Sequence, residues 1–522
     1  MKKITLLGTA LLSTVCFLTS TTSFAQTGSL DLTFDTDGKV TTSVSPFNLE
    51  DNAKSVAIQN DGKIVVVGYS LMSDVELSTD YDFTVVRYNS DGSLDTGFDS
   101  DGMVTTAINA NPTEDQAFAV ALQSDGKIVV AGYSLIGASN YDFVVVRYNT
   151  DGSLDSGFDG DGIVITPIGT SIDIAYSLAI QTDGKIVAAG YSFNGTDNDF
   201  ALVRYDTDGS LDTGFDSDGI VTTPVGLSVD IASSVVIQND GKIIAAGHSL
   251  ISGNDYDFSA ARYNTDGSLD TGFDTDGKVI TPAFGTNEDK AYSAALQSDG
   301  KIVLAGYTST GGIYHVALMR YNTDGSLDTG FDTDGIAITV IGNLIDIAYA
   351  VAVQNDGKIV AAGYSYNPAS SANDFALVSY NSDGSLNTNC DTDGIVTTPI
   401  GPTVDMGSAM AIQSDGKIVV VGQSYTNGSH YDFAVVRFNN NTSGLNSIEN
   451  QDISIIVYPN PATHNLTIST TEPTEISICT INGIVILNKV VDKEQLIDLT
   501  NFASGVYFVR TSEGQTVKFI KE

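Results

Sequence analysis

The sequence predicts an all-β protein: a seven-bladed β-propeller of four-stranded repeats followed by a small C-terminal β-sandwich. Three observations carry this. The phrase GSLD, once GSLN, recurs seven times, starting at Gly28, Gly92, Gly152, Gly209, Gly267, Gly325 and Gly384. Between these phrases stand β-branched and aromatic runs of strand length. Asp and Gly punctuate the runs, and no long apolar stripe of helical period appears.

The chain opens with Lys2-Lys3, a mostly apolar run from Ile4 to Leu18, and Ser23-Phe24-Ala25, with small residues at the two positions a signal peptidase reads. This predicts a signal peptide over residues 1–25, cut between Ala25 and Gln26. Val15 before Cys16 is larger than the residue a lipoprotein site places there, which argues against lipidation. No later stretch holds the roughly 18 apolar residues that span a bilayer, so no transmembrane segment is expected. The remaining cysteines, Cys390 and Cys479, have neither disulfide-framework nor zinc-ligand spacing.

Residues 26–439 form the repeat array. The second unit shows its four apolar segments: Met103 to Thr106, Ala117 to Gln123, Lys127 to Ser134 and Phe143 to Tyr148. Between the second and third, every unit reads Gln-x-Asp-Gly-Lys, and Asp-Gly is a favoured pair for a tight hairpin turn with positive φ. The third segment runs almost wholly apolar to Gly-Tyr or Gly-His in six of seven units, as suits a strand covered on both faces. Stacked blades supply that cover. A unit of about 60 residues is twice the 20–30 of most solenoid coils, which favours radial closure over an open coil.

The phrases DGSLDTGFDSDG and QSDGKIVVAGYS, followed by YDFVVVRYN, resemble the delta-60 repeat, a bacterial propeller-like family. The resemblance covers Gly28 to about Asn439 and implies a fold more than a chemistry.

After Asn439 the repeat stops, and residues 440–451, rich in Asn and Ser, read as a linker. In residues 452–522 short apolar segments alternate with turn signals: Tyr458-Pro459-Asn460-Pro461, Asn482-Gly483 and Ser504-Gly505. The phrases VYPNPATHNLTI, ING and GVYFVRTSEGQTVKFIKE resemble the C-terminal sorting domain of type IX secretion substrates in Bacteroidetes. That resemblance implies a small β-sandwich, the type IX secretion machinery as a partner, and a secreted or outer-membrane-surface location.

The 64 acidic residues, of which ten are Glu, face 24 basic ones, for a net charge of −40. So acidic a chain repels phosphates, and nucleic acid binding is not expected. In the link Asn89-x-Asp91-x-Ser93-x-Asp95, followed by Asp99-x-Asp101-Gly102, oxygen side chains alternate as in a calcium loop. Leu94 stands where such a loop needs Gly, and no Glu closes it. Turn capping by these Asp and Asn residues is the favoured reading, with weak calcium sites here and in the equivalent links as the alternative. Two further sets recur: Asp51, Asp115, Asp173, Asp230, Asp289, Asp346 and Asp405, each eight residues before a Gln, and Asp-Arg pairs five apart, such as Asp142 with Arg147 and Asp257 with Arg262. Such recurrence points to structural bonds within or between blades, and His315 in place of the Asp in unit five and Ser379 in place of the Arg in unit six leave no single pair indispensable. No catalytic residue and no cofactor other than possible calcium is expected.

The chemistry expected is therefore that of a noncatalytic extracellular module that binds a protein or glycan or serves the surface structurally, as an adhesin would. A hydrolase using paired carboxylates is the enzymatic alternative. Binding is expected on the face of the variable loops, Ser43 to Glu50, Leu71 to Tyr81, Ala107 to Glu114 and Tyr366 to Asn373.

Overall fold

A computed structural model of the chain describes residues 27–73, 75, 79–109, 114–137, 139–282, 288–425, 430–440, 455–470, 473–480, 485–511 and 516–521. The predicted leader with its Ala25–Gln26 cut, and the linker apart from Asn440, lie outside these residues. Two compact units part between residues 442 and 443.

In the first unit every strand pairs antiparallel with its neighbours, in seven four-stranded sheets. From the centre outward, blade 1 runs Asp51–Ile58, Ile64–Leu71, Tyr81–Tyr88 and Met103–Thr106. Blades 2 to 6 repeat that order, their innermost strands being Asp115–Leu122, Asp173–Ile180, Asp230–Ile237, Asp289–Leu296 and Asp346–Val353. Blade 7 has Asp405–Ile412, Ile418–Tyr425 and Tyr431–Phe438, and takes its outermost strand, Lys39–Thr42, from the other end of the array. Neighbouring innermost strands touch all the way round, blade 7 against blade 1 included. The array is a closed seven-bladed β-propeller.

Blades and sequence repeats are out of phase by one strand. Met103–Thr106 opens the second repeat yet pairs with the third strand of blade 1, Phe83 opposite Thr106. Each Gly-Ser-Leu link from Gly92 on therefore joins two strands of one blade, and the chain passes from blade to blade between Thr42 and Asp51 and between Thr106 and Asp115. The stagger helps closure, because a blade built from both chain ends cannot leave the ring without breaking a sheet.

The sheets shield one another. Between blades 2 and 3, Phe143 and Val145 of one sheet pack with Leu178, Ile186 and Ala188 of the next. Polar ties cross the same seams: the Tyr148 hydroxyl meets Thr106 Oγ1 at 2.8 Å, and Tyr88 meets Thr42 at 2.7 Å. Both tyrosines are fully buried, so their hydroxyls require such partners.

The C-terminal unit has a three-stranded sheet, Ile455–Tyr458, Asn465–Thr470 and Glu494–Asp498, and a four-stranded one, Val485–Val491, Thr474–Thr480, Gly505–Thr511 and Thr516–Lys521, each in that spatial order. Leu466, Ile468 and Ile497 of the first share a core with Ile476, Ile478, Val509 and Phe519 of the second, which makes a β-sandwich.

Candidate functional site

The innermost strands surround a central cavity of about 560 Å³. Each carries a β-bulge: pairing with the second strand skips one residue, between Ala53 and Ser55 in blade 1 and at the equivalent place in all seven. The skipped residues are Lys54, Phe118, Tyr176, Ser233, Tyr292, Tyr349 and Ser408. An inserted residue reverses the alternation of faces and re-aims a side chain. All seven are half-buried, and all seven line the cavity.

The bulge dictates the Gly of the Gly-Tyr phrase. A Cβ on Gly190 would sit 1.8 Å from the carbonyl oxygen of Ile174, and on Gly68 1.8 Å from that of Asn52. These glycines are needed for close backbone approach, not for positive φ. The bulge also frees inner-strand N–H groups, which the next serine of the adjoining blade receives. Val120 N–H donates to Ser55 Oγ at 3.3 Å, Val235 to Ser177 at 3.0 Å, Ala294 to Ser234 and Val351 to Ser293 at 3.1 Å.

The lining breaks the sevenfold likeness. Phe118 and Tyr176 of blades 2 and 3 meet edge to face at 5.1 Å, and Tyr292 and Tyr349 of blades 5 and 6 stack at 4.6 Å. Blades 4 and 7 place small Ser233 and Ser408 between the two pairs, and blade 1 places Lys54. Lys54 Nζ lies 5.4 Å from the Tyr69 ring centroid. Burial outweighs the attraction of Glu50 and lowers its pKa to about 8. Lys290 is bound to Glu288 at 2.5 Å and lies over Tyr256. Burial, reinforced by Lys290, pushes His248 down to about 3, so its ring is neutral.

At the loop end of the channel the acidic chain places three of its few Glu residues at one repeat position. Tyr133 and Tyr141 donate to Glu114 at 2.8 and 3.2 Å, joined by the Gln116 amide. Tyr81 and Asn52 donate to Glu50.

The residues singled out in the sequence sit elsewhere. Asp91 accepts from the N–H and hydroxyl of Ser93 at 3.0 and 2.7 Å, Asp101 accepts from the Met103 N–H at 2.9 Å, and the Asn89 amide donates to Ser93 and Leu94. Asp99 takes a left-handed φ of 44° in the same turn. Among the described residues no three His, Cys, Asp or Glu side chains stand together as metal ligands would. The innermost-strand aspartates are fully buried; Asp173 accepts from the N–H groups of Ile168 and Gly169, and so pins the loop that enters its blade.

Asp142 and Arg147, like Asp257 and Arg262, do not bond each other. Residues five apart on a strand point to opposite faces and lie about 17 Å apart. Arg147 instead pairs at 2.6 Å with Asp155, eight residues on, and stacks over Phe158 at 4.5 Å. Its other arm donates to the Thr207 carbonyl in the next link, 2.5 Å away, and Lys127 of the hairpin turn completes the cluster. The same rivet joins Arg87 with Asp95, Arg204 with Asp212, Arg262 with Asp270, Arg320 with Asp328 and, across the closure, Arg437 with Asp31.

Seven stretches, residues 59–98, 123–158, 181–215, 238–273, 297–331, 354–389 and 413–443, match the model of the domain of unknown function DUF5122 β-propeller. Residues 456–522 match the secretion system C-terminal sorting domain. No curated protein matches the chain. Among solved structures, a protein of unknown function from Dyadobacter fermentans is similar at 11% identity, over 77% of this chain and 99% of its own, with a TM-score of 0.39. Virginiamycin B lyase from Staphylococcus aureus is similar at 11% identity, over 76% and 99%, with a TM-score of 0.42. PorZ, a surface component of the type IX secretion system of Porphyromonas gingivalis, is similar at 11% identity, over 90% and 81%, with a TM-score of 0.26. Likenesses this distant carry no argument about the site.

Proposed function

Because this chain belongs to the DUF5122 β-propeller repeat proteins and ends in a type IX sorting domain, which makes it a secreted or cell-surface protein, we propose that it is a noncatalytic binding module whose ligand enters the central channel. One observation carries this reading. Seven equivalent bulges present Lys, Phe, Tyr or Ser to one cavity, while the surrounding frame repeats almost unchanged. Sameness serves the ring; difference in the lining serves recognition. The noncatalytic part rests on the nearby carboxylates, since Glu50, Glu114 and Glu288 are each held by hydroxyl, amide or ammonium donors.

A screen of the mature propeller against glycans, matrix proteins and small molecules tests it. The expected result is a saturable ligand that raises the melting temperature, with affinity lost in Tyr292→Ala and Tyr349→Ala and no turnover of the bound compound. A ligand that ignores both substitutions would move the site elsewhere, and turnover would make the protein an enzyme.

A further inference from the structure

We propose that the channel receives a uronic acid residue: a hydroxylated six-membered ring bearing one carboxylate, with its ring between the two aromatic pairs and its carboxylate on Lys54. This rests on the channel being the binding site.

The charge argument starts from Lys54. Among the described propeller lysines it is the one with neither a carboxylate nor a carbonyl on its ammonium. The turn lysines pair with Asp, as Lys63 does with Asp95, and Lys290 pairs with Glu288. Lys39 and Lys278 donate to the carbonyls of Pro399 and Pro224. In a chain of net charge −40, an ammonium turned into a cavity with no carboxylate in contact is an open position. A buried cation is costly until an anion completes it. Lys54 is the one cation of the lining with no carboxylate in contact, because Glu288 binds Lys290 and His248 is uncharged, while Glu50 attracts Lys54 without touching it. A single carboxylate balances it; a dianionic phosphate would leave a surplus negative charge inside an already acidic ring.

The ring argument comes from the walls. The Phe118–Tyr176 pair and the Tyr292–Tyr349 pair stand on either side of the gaps left by Ser233 and Ser408. Aromatic faces take the C–H face of a sugar ring or a flat aromatic ring equally well. Gln423 decides between them. It stands in blade 7 where five other blades have Tyr, lines the cavity, and is 92% buried, yet its Oε1 has no hydrogen-bond partner among the described residues. A buried acceptor without a donor is costly, and a ring hydroxyl supplies one. The volume of about 560 Å³ falls in the range of small-molecule sites.

Calorimetric titration of the full mature protein distinguishes the outcomes, using oligogalacturonate, the matched neutral galactose oligomer, and benzoate. The expected order is oligogalacturonate at least about tenfold tighter than the neutral oligomer, a difference of about 1.4 kcal/mol, with benzoate weakest. In Lys54→Met the preference for the acid collapses, while Lys54→Arg retains it. Removing an unpaired ammonium leaves the fold intact, and an unchanged melting profile of Lys54→Met checks this. Equal affinity for acid and neutral sugar, preference for benzoate, or discrimination that survives Lys54→Met overturns the proposal. Failure of all three probes also overturns it; the binding-module reading then stands or falls separately, on whether the open screen still finds a ligand sensitive to Tyr292→Ala.

Discussion

The rim and the centre of the propeller follow opposite rules. At the rim, six blades repeat one rivet of Arg, Asp, Lys and Phe with near-identical geometry. Blade 6 abandons it as a set: Ser379 replaces the Arg, Asn387 the Asp and Cys390 the Phe, with the Asn387 amide donating to Ser379 Oγ at 3.0 Å and Lys358 turning to Asp356. The members change together because removing one partner of a buried ion pair strands the other charge, at about 3–5 kcal/mol. At the centre no such coupling acts. A bulge residue is half-buried and turned to the cavity, so each blade carries its own side chain while the backbone that presents it stays fixed. Selection for closure therefore writes the rim, and freedom from it leaves the centre available for recognition.

The largest effect should come from breaking the device that makes the centre. Gly190→Ala places a methyl group 1.8 Å from the Ile174 carbonyl, which neither strand can yield without losing the bulge. The expected cost is more than about 4 kcal/mol, or failure to fold, read by chemical denaturation. Wild-type stability in this variant would mean that the bulge is not fixed by the glycine.

Arg147→Ala comes next. It should cost up to about 3–5 kcal/mol by removing the buried guanidinium from Asp155, which keeps only Lys127 and the Gly157 N–H, and by leaving the Thr207 carbonyl without that donor. The triple change Arg147→Ser, Asp155→Asn, Phe158→Cys, which copies blade 6 into blade 2, should cost less than the single change. A triple variant weaker than the single would refute the idea that the rivet is coupled.

Acid titration separates the two regions with opposite signs. At the rim, burial tends to raise Asp155, but the Lys127 and Gly157 hydrogen bonds and the Arg147 pair prevail and hold it at about 2. Asp95, Asp212, Asp270 and Asp328 are lowered by the same set of opposing causes. Such groups contribute stability that is fully present above the ordinary pKa of 3.8 and is lost as pH falls through the folded values. On the loop face the order reverses. Burial raises Asp51, Asp82 and Asp257 to about 6, with neighbouring carboxylates adding to each and, at Asp51, hydrogen bonds from Ser70, Val44 and Ser45 opposing it. Their cost is fully present above pH 6 and is relieved between 6 and 4. The urea midpoint should therefore rise from pH 7 towards pH 4 and fall below it; a steady fall from neutrality would contradict these assignments.

The fold was legible because seven recurrences, Asp-Gly turns and apolar second strands each state a local requirement. Strand phase was not, since Met103–Thr106 would suit either neighbouring sheet. The structural role of Arg147 was legible from its recurrence, but its partner was not, because Asp155 stands eight residues on, beyond a turn whose geometry spacing alone does not state. The central site escaped for a related reason: Asp173-Ile174-Ala175-Tyr176 looks like regular alternation, and the bulge that re-aims Tyr176 leaves its only trace in the next strand, as Gly190. A comparison of the third position after each buried Asp would have pointed to it, because the repeats disagree there while the residues on either side stay small, Ala or Gly before and Ser or Ala after.

The smallest expected effect concerns calcium at the rim links. The alternating oxygens of Asn89, Asp91, Asp95, Asp99 and Asp101 do resemble a coordinating loop in sequence, but coordination needs several oxygens converging on one point with free lone pairs. Asp91 and Asp101 spend theirs on the N–H groups two residues ahead, and Asp95 on Arg87, Lys63 and the Gly97 N–H. Engaging an ion would require giving up these bonds, and at Asp95 would set a divalent cation beside two cations already in place. Calcium at about 1 mM, the weak end for extracellular modules, should thus shift the melting temperature by less than about 2 °C relative to chelator. A larger, saturable rise would show that the rim carboxylates bind the ion in preference to their own backbone, and would make the repeated rim, like the varied centre, a ligand site.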